Sequence, residues 1–244
     1  METLIQTGLA QLGLSRQIPE AAPAQLGRYG RLLLEKNQVM NLTAITDPRD
    51  VATLHMLDCA ALLGCFDFEG SKTLIDVGTG AGFPGVPLKI LLPGLEVTLL
   101  DSLNKRVDWL AETCGALGLK GIRAIHHRAE EAGQDPGFRE QYDLASARAV
   151  ADLQVLSELC LPFVRPGGYF LAMKGTDCGA ELDRALPAIR LLGGEVEGFR
   201  DYAIPHTDVT HRVIIIKKIS PTPSQYPRRW AKIQKSPLMP APGR

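Results

Sequence analysis

The chain has 244 residues, with 27 basic and 27 acidic side chains, 45% apolar residues and 22% charged ones. That is ordinary for a soluble globular protein and long enough for one α/β core with an appendage. Composition excludes several classes: no apolar run reaches the roughly 18 residues of a membrane span, and Met1–Leu14 lacks the basic start of a signal peptide.

The first 70 residues read as helices. Pro19-Glu20 opens one that runs to about Gln38, and Asp47 caps another with Pro48 in its first turn. On that second helix His55 and Asp58 are three apart and share a face with Val51 and Leu54. They could face a substrate, or form a buried hydrogen-bonded pair that holds the helix to a sheet; the structural role is favoured. From Thr73 onward strands and helices alternate, which predicts a parallel sheet. Strands are expected near 73–77, 96–100, 122–126, 142–147, 168–173, 196–202 and 212–218, with Arg165-Pro166-Gly167-Gly168 as a turn before the fifth. The predicted fold class is α/β, a doubly wound, mostly parallel sheet of seven strands.

Thr73–Leu92 carries the strongest signal. A short β-branched strand ends at Val77, and Gly78, Gly80 and Gly82 follow at every second position. Glycines there permit positive φ and let a ligand approach the backbone. Pro84 and Pro87 suit the first turn of a helix. Gly80-x-Gly82-x-x-Gly85 also matches a dinucleotide fingerprint. Counted from Gly78, however, the spacing is G-x-G-x-G, and the third glycine of that fingerprint falls on Phe83. With Asp76 ahead of it, D-x-G-x-G-x-G suits S-adenosylmethionine, which has no pyrophosphate to seat on a helix N-terminus.

The next strand ends at Asp101, where a carboxylate can accept both ribose hydroxyls of either ligand class. A plain helix cap is the alternative role for Asp101. The third strand leads to Ala129 and Glu130, the fourth to Arg148. Arg148 could serve the ligand, a target base or a phosphate, or form a structural ion pair. Ser146-Ala147-Arg148-Ala149 occupies the place where amino-group methyltransferases often carry an N-P-P-Y-like motif. Cys59, Cys65, Cys114, Cys160 and Cys178 form no C-x-x-C pair, so no disulfide framework or zinc site is indicated. Cys178 is the cysteine near a strand end, and it is not favoured as a nucleophile. No catalytic residue and no metal are expected.

Charge is uneven along the chain. After Asp208 there is no acid, and Arg212, Lys217, Lys218, Arg228, Arg229, Lys232, Lys235 and Arg244 follow. The proline-rich segment 220–244 is expected to be extended, a basic arm for polyanions lying outside the ligand pocket. Arg228, Arg229, Lys232 and Lys235 would hold RNA phosphates, and Trp230 would stack on a base.

Asp76–Leu88 (D-V-G-T-G-A-G-F-P-G-V-P-L) and Leu99–Arg106 (L-L-D-S-L-N-K-R) together resemble the bacterial small-subunit rRNA guanine-N7 methyltransferase family, RsmG, also called glucose-inhibited division protein B (GidB). The resemblance extends to Asn41–Ile45, His55–Asp58, Ala129-Glu130, Ser146–Ala149 and Lys174-Gly175. It implies a Rossmann-like methyltransferase domain over 71–219, a helical cap over 1–70 and a basic tail over 220–244. It implies that Gly78, Gly80, Phe83, Asp101, Ser102, Ala129, Glu130 and Arg148 hold S-adenosylmethionine, with Ala129 and Glu130 beside the adenine. It further implies transfer of a methyl group to N7 of a guanine in 16S rRNA or the small ribosomal subunit. The expected setting is cytoplasmic and monomeric, without membrane or DNA. Three alternatives stand beside it: a methyltransferase acting on another RNA or a protein, an NAD-dependent oxidoreductase, and a non-catalytic RNA-binding module. The inner glycine and proline of the family's C-terminal segment are replaced here by Trp230-Ala231-Lys232-Ile233.

Overall fold

A computed structural model describes residues 1–148 and 151–238. Seven strands form one sheet: β1 (Thr73–Val77), β2 (Glu96–Asp101), β3 (Ile122–His126), β4 (Tyr142–Arg148), β5 (Val164–Gly175), β6 (Gly194–Ala203) and β7 (Thr210–Lys218). Their order is β3-β2-β1-β4-β5-β7-β6. The first five are parallel, and β7 runs antiparallel to both β5 and β6. Each coincides with an expected strand. β5 begins earlier than expected, because Arg165-Pro166-Gly167-Gly168 is an insertion within the strand and not a turn before it. Tyr142 pairs with Val164, and the next paired position, Leu144, meets Tyr169.

Alternation along the strands builds two cores. Leu74, Leu99, Leu144 and Leu171 face one, Ile75, Leu100, Ala145 and Phe170 the other. The N-terminal helices α1 (Glu2–Gln11) and α2 (Ala22–Asn37) belong to the first core. α2 begins later than expected, since Ala22 N–H closes a turn onto Pro19 O and Pro23 occupies the first helical turn. The Asp47 carboxylate accepts from Arg49 N and Asp50 N and caps α3 (Pro48–Asp50). The helix then widens into π-helical turns over Val51–Leu57 before α4 (Asp58–Ala60) and α5 (Leu62–Cys65). α6 (Gly85–Leu91) and α7 (Asn104–Ala116) complete that side. α8 (Ala129–Ala132) follows β3, while α9 (Leu153–Cys160) and α10 (Gly179–Leu191) cover the second face. Among the described residues no helix is long and apolar enough to cross a membrane.

The segment beyond β7 corrects the expectation of an extended arm. It folds back onto the second face and contains a short helix, α11 (Trp230–Lys235). Ile233 is fully buried there and Leu238 nearly so. Arg139 donates to the carbonyls of Thr222, Pro223 and Tyr226. The sequence permits this because Trp-Ala-Lys-Ile-Gln-Lys has no helix breaker and places one apolar anchor among polar residues. Arg244, counted with the basic end, lies outside the described residues.

Candidate cofactor cleft and its neighbours

β1 is flanked by β2 on one side and β4 on the other, so the chain reverses its winding direction there. Ligands of open α/β sheets bind outside the strand C-termini at such a point. Two cavities meet over it. One, about 270 Å³, is lined by Gly78, Asp101, Ser102, Ala129, Glu130 and Trp230 among others. The second, about 650 Å³, is lined by Thr43, His55, Asp58, Gly78, Gly80, Phe83, Arg106, Arg148 and His211 among others. Gly78 belongs to both walls, so the two cavities adjoin at the glycine loop.

The glycine loop is shaped from below. Asp76 is fully buried; its carboxylate accepts from Thr79 Oγ1 at 2.6 Å, Gly85 N at 3.0 Å and Ser146 Oγ at 3.1 Å. Burial pushes its pKa up to about 6 against the pull of those donors. Gly78, Gly80 and Gly82 have φ of +67°, +59° and +89°. A Cβ on Gly82 would stand 2.6 Å from the Tyr29 hydroxyl, which donates to Ala81 O and ties the loop to α2. At Gly80 a Cβ would find nothing closer than Gly78 O at 3.9 Å. Gly80 therefore turns an uncovered backbone to the cleft, which fits a ligand lying against it.

Asp101 ends β2 and is 4% exposed. Its carboxylate accepts from Gly80 N and Leu103 N, both at 2.9 Å, so it braces the loop from the side. Leu103, not Asp101, is the residue preceding α7. Glu130 is paired with Arg128 Nε at 2.6 Å and lies in the same cavity wall as Ala129 and Ser102.

Arg148, at the end of β4, bridges the sheet to the N-terminal helices. It donates to Leu54 O at 3.1 Å, Asp58 Oδ2 at 3.0 Å and His55 Nδ1 at 2.9 Å, and lies 4.7 Å above the Phe83 ring. The structural ion pair weighed for Arg148 is thus present, within the cleft wall. His55 and Asp58 hold their helix to the sheet through Arg148 and not through each other. Arginine can only donate, so His55 Nδ1 accepts and the ring proton sits on Nε2, directed at Thr43 Oγ1 at 2.9 Å. Burial and Arg148 depress the His55 pKa to about 3. The ring stacks on Phe83 with centroids 4.4 Å apart. The other Asp58 oxygen accepts from Tyr202 Oη at 3.0 Å and His211 Nδ1 at 2.8 Å. Burial raises the Asp58 pKa, but the His211 and Arg148 contacts outweigh it and leave it lowered. The Asp58 hydrogen bond in turn raises that of His211.

Tyr29, Tyr202 and His211 were not singled out from sequence. Tyr202 and His211 are register partners on β6 and β7, and no local spacing ties them to Asp58. Cys178, buried at the start of α10, is not among the residues lining either cavity. Of the basic residues assigned to RNA, Arg229, Lys232 and Lys235 are exposed. Arg228 is corrected: its guanidinium pairs with buried Glu158 at 2.7–2.8 Å. Lys218, part of the same basic run, does not face solvent either. It is fully buried on the carbonyls of Leu161 and Val164, with Glu140 and Thr222. Trp230, placed outside the ligand pocket by the sequence, lines the smaller cavity.

Comparison with known proteins agrees with this architecture. The family described as rRNA small subunit methyltransferase G matches residues 22–207. The ribosomal RNA small subunit methyltransferase G of Alkaliphilus oremlandii is 50% identical over 226 residues, 93% of this chain and 95% of that protein. Its namesake in Alkaliphilus metalliredigens is 46% identical over 235 residues, 96% and 98% of the two chains. Among solved structures, the mitomycin 7-O-methyltransferase MmcR is similar in fold, with a TM-score of 0.54 at 15% identity, covering 78% of this chain and 60% of that one. The dinucleotide alternative is set aside, and the chain belongs to the rRNA small subunit methyltransferase G family.

Proposed function

We propose that the cleft of this S-adenosylmethionine-dependent rRNA methyltransferase directs the methyl group to N7 of one guanine in 16S rRNA. The observation that supports the reading most is the protonation pattern around the larger cavity. His55 is neutral with its accepting nitrogen covered by Arg148, and His211 is held toward its cationic form by Asp58. Arg148 supplies a fixed positive charge there, and both ring nitrogens of His55 are engaged, so His55 is not a free base. Guanine N7 suits such surroundings: its lone pair is free at neutral pH and carries no proton to remove.

When bound, S-adenosylmethionine supplies an electrophilic methyl group on its sulfonium. In this reading Gly78 and Gly80 admit it against the backbone, and Asp101 accepts from its ribose hydroxyls. Ser102, Ala129 and Glu130 surround its adenine, while Phe83 and Arg148 shape the reacting end. The work left to the chain is alignment and exclusion of water, which can supply up to roughly 7–11 kcal/mol of a barrier. Arg229, Lys232 and Lys235 would contact RNA phosphates near the cleft. We place the reaction in the cytoplasm, with the chain acting as a monomer on rRNA and not on DNA or at a membrane. Replacing guanosine by 7-deazaguanosine throughout a 16S rRNA transcript tests the acceptor. The substituted transcript should accept no methyl group; transfer at the normal rate would exclude N7.

A further inference from the structure

Trp230 enters the smaller cavity from a direction the glycine loop does not predict. Asp101, Ser102, Ala129 and Glu130 reach that cavity from the ends of β2 and β3, whereas Trp230 reaches it from the C-terminal segment. The segment is fixed on both sides of the indole. Before it, the backbone N, Nε and a terminal guanidinium nitrogen of Arg228 donate to the two oxygens of Glu158 at 2.7–2.9 Å. Pro227 packs so closely on Gly133 that a Cβ there would come within 2.9 Å of it. Gln134 donates to Pro227 O at 2.9 Å. After it, Ile233 is fully buried in the second core. Gly133 directly follows α8, the element that carries Ala129 and Glu130. The indole itself is partly buried against the same core.

We propose that Trp230 is a cofactor-binding residue whose indole forms the outer wall of the adenosyl pocket. The C-terminal segment is then part of the cofactor site and not only an RNA-holding arm. The inference rests on the S-adenosylmethionine assignment above. A planar indole beside a purine gains dispersion and stacking, as bases do on aromatic platforms. Its anchoring by Arg228 and Ile233 means little freedom is lost when a ligand arrives.

The test uses S-adenosylhomocysteine, titrated by calorimetry into the full-length wild type, Trp230→Ala and Trp230→Phe. Trp109 and Trp230 are the two tryptophans of the chain, so Trp109→Phe isolates the emission of Trp230. Trp230→Ala should weaken binding by about tenfold or more, and Trp230→Phe by less. Trp230 emission should change saturably with the dissociation constant found by calorimetry. Unchanged affinity in folded Trp230→Ala overturns the proposal. So does a flat fluorescence titration in protein that binds by calorimetry, and this second result decides if Trp230→Ala does not fold. A wild type that binds no S-adenosylhomocysteine would instead overturn the cofactor assignment itself.

Discussion

Gly80 and Gly82 both adopt left-handed backbone, yet a methyl group added to each meets different surroundings. At Gly80 it enters the open cleft; at Gly82 it meets Tyr29, Val86 and Leu110 at 2.6–2.9 Å. Gly80→Ala should therefore cost only the left-handed strain, ~1–2 kcal/mol, and lose most cofactor affinity. Gly82→Ala should destabilise the fold by more than that. Thermal unfolding with parallel calorimetry separates the two, and equal stability losses would contradict the packing. Asp101 braces Gly80 and faces the cavity, so Asp101→Ala should weaken S-adenosylmethionine binding by about 1.5–3 kcal/mol; an unchanged dissociation constant would place it outside the site. His55 supplies a pH signature. Its folded pKa is lowered from 6.5 to about 3, by burial first and by Arg148 second. The unfolded chain therefore takes up this proton first as pH falls. The stabilisation is complete above pH 6.5 and is lost toward 3, by at most ~1.4 kcal/mol per pH unit. Urea unfolding of wild type and His55→Gln at pH 7, 6 and 5 should show the wild-type advantage shrinking with acid. A constant or growing advantage would refute the neutral assignment.

At the scale of elements, the C-terminal segment divides into residues that hold it and residues that face water. Arg228 and Glu158 form a pair with side chains 13% and 1% exposed. Arg228→Ala strands a buried carboxylate and should destabilise the fold by about 3–5 kcal/mol; a loss under ~1 kcal/mol would show the segment to be loosely attached. Replacing the exposed cations Arg229, Lys232 and Lys235 together by Ala should leave cofactor affinity intact. It should reduce the salt slope of RNA binding by about 2 log units per log unit if each meets a phosphate on single-stranded RNA. An unchanged slope would show that these cations do not touch RNA. Sequence alone located the central strands β1, β2 and β4 because buried parallel strands carry contiguous apolar runs between turn residues. It could not sort the cations of the basic run after Asp208. Arg228 and Lys218 look the same in one dimension as Lys232, and what separates them is Glu158 and Glu140, acids far away in the chain. Trp230 was legible as an exposed-tail aromatic for the same reason: its position depends on Ile233 docking into a core built by other elements.

For the whole molecule, the reversal of winding at β1 and β4 gathers the ends of β1 to β4 around one cleft, and the N-terminal helices close it through Arg148, His55 and Asp58. The glycine loop and Asp101 were legible as one wall of the cleft because their spacing is local. The opposite wall was legible only in part: His55, Asp58 and Arg148 stood out, but Tyr202 and His211 meet Asp58 only once β6 and β7 pair. The central claim is methyl transfer from this cleft to guanine N7 of 16S rRNA. Its most direct test incubates the purified chain with S-adenosylmethionine carrying an isotopically labelled methyl group and an unmodified 16S rRNA transcript or small subunit. Nucleoside mass spectrometry then locates the label. The account predicts labelled 7-methylguanosine at a single position. Label in another nucleoside, or none in protein shown to bind both cofactor and RNA, would contradict it.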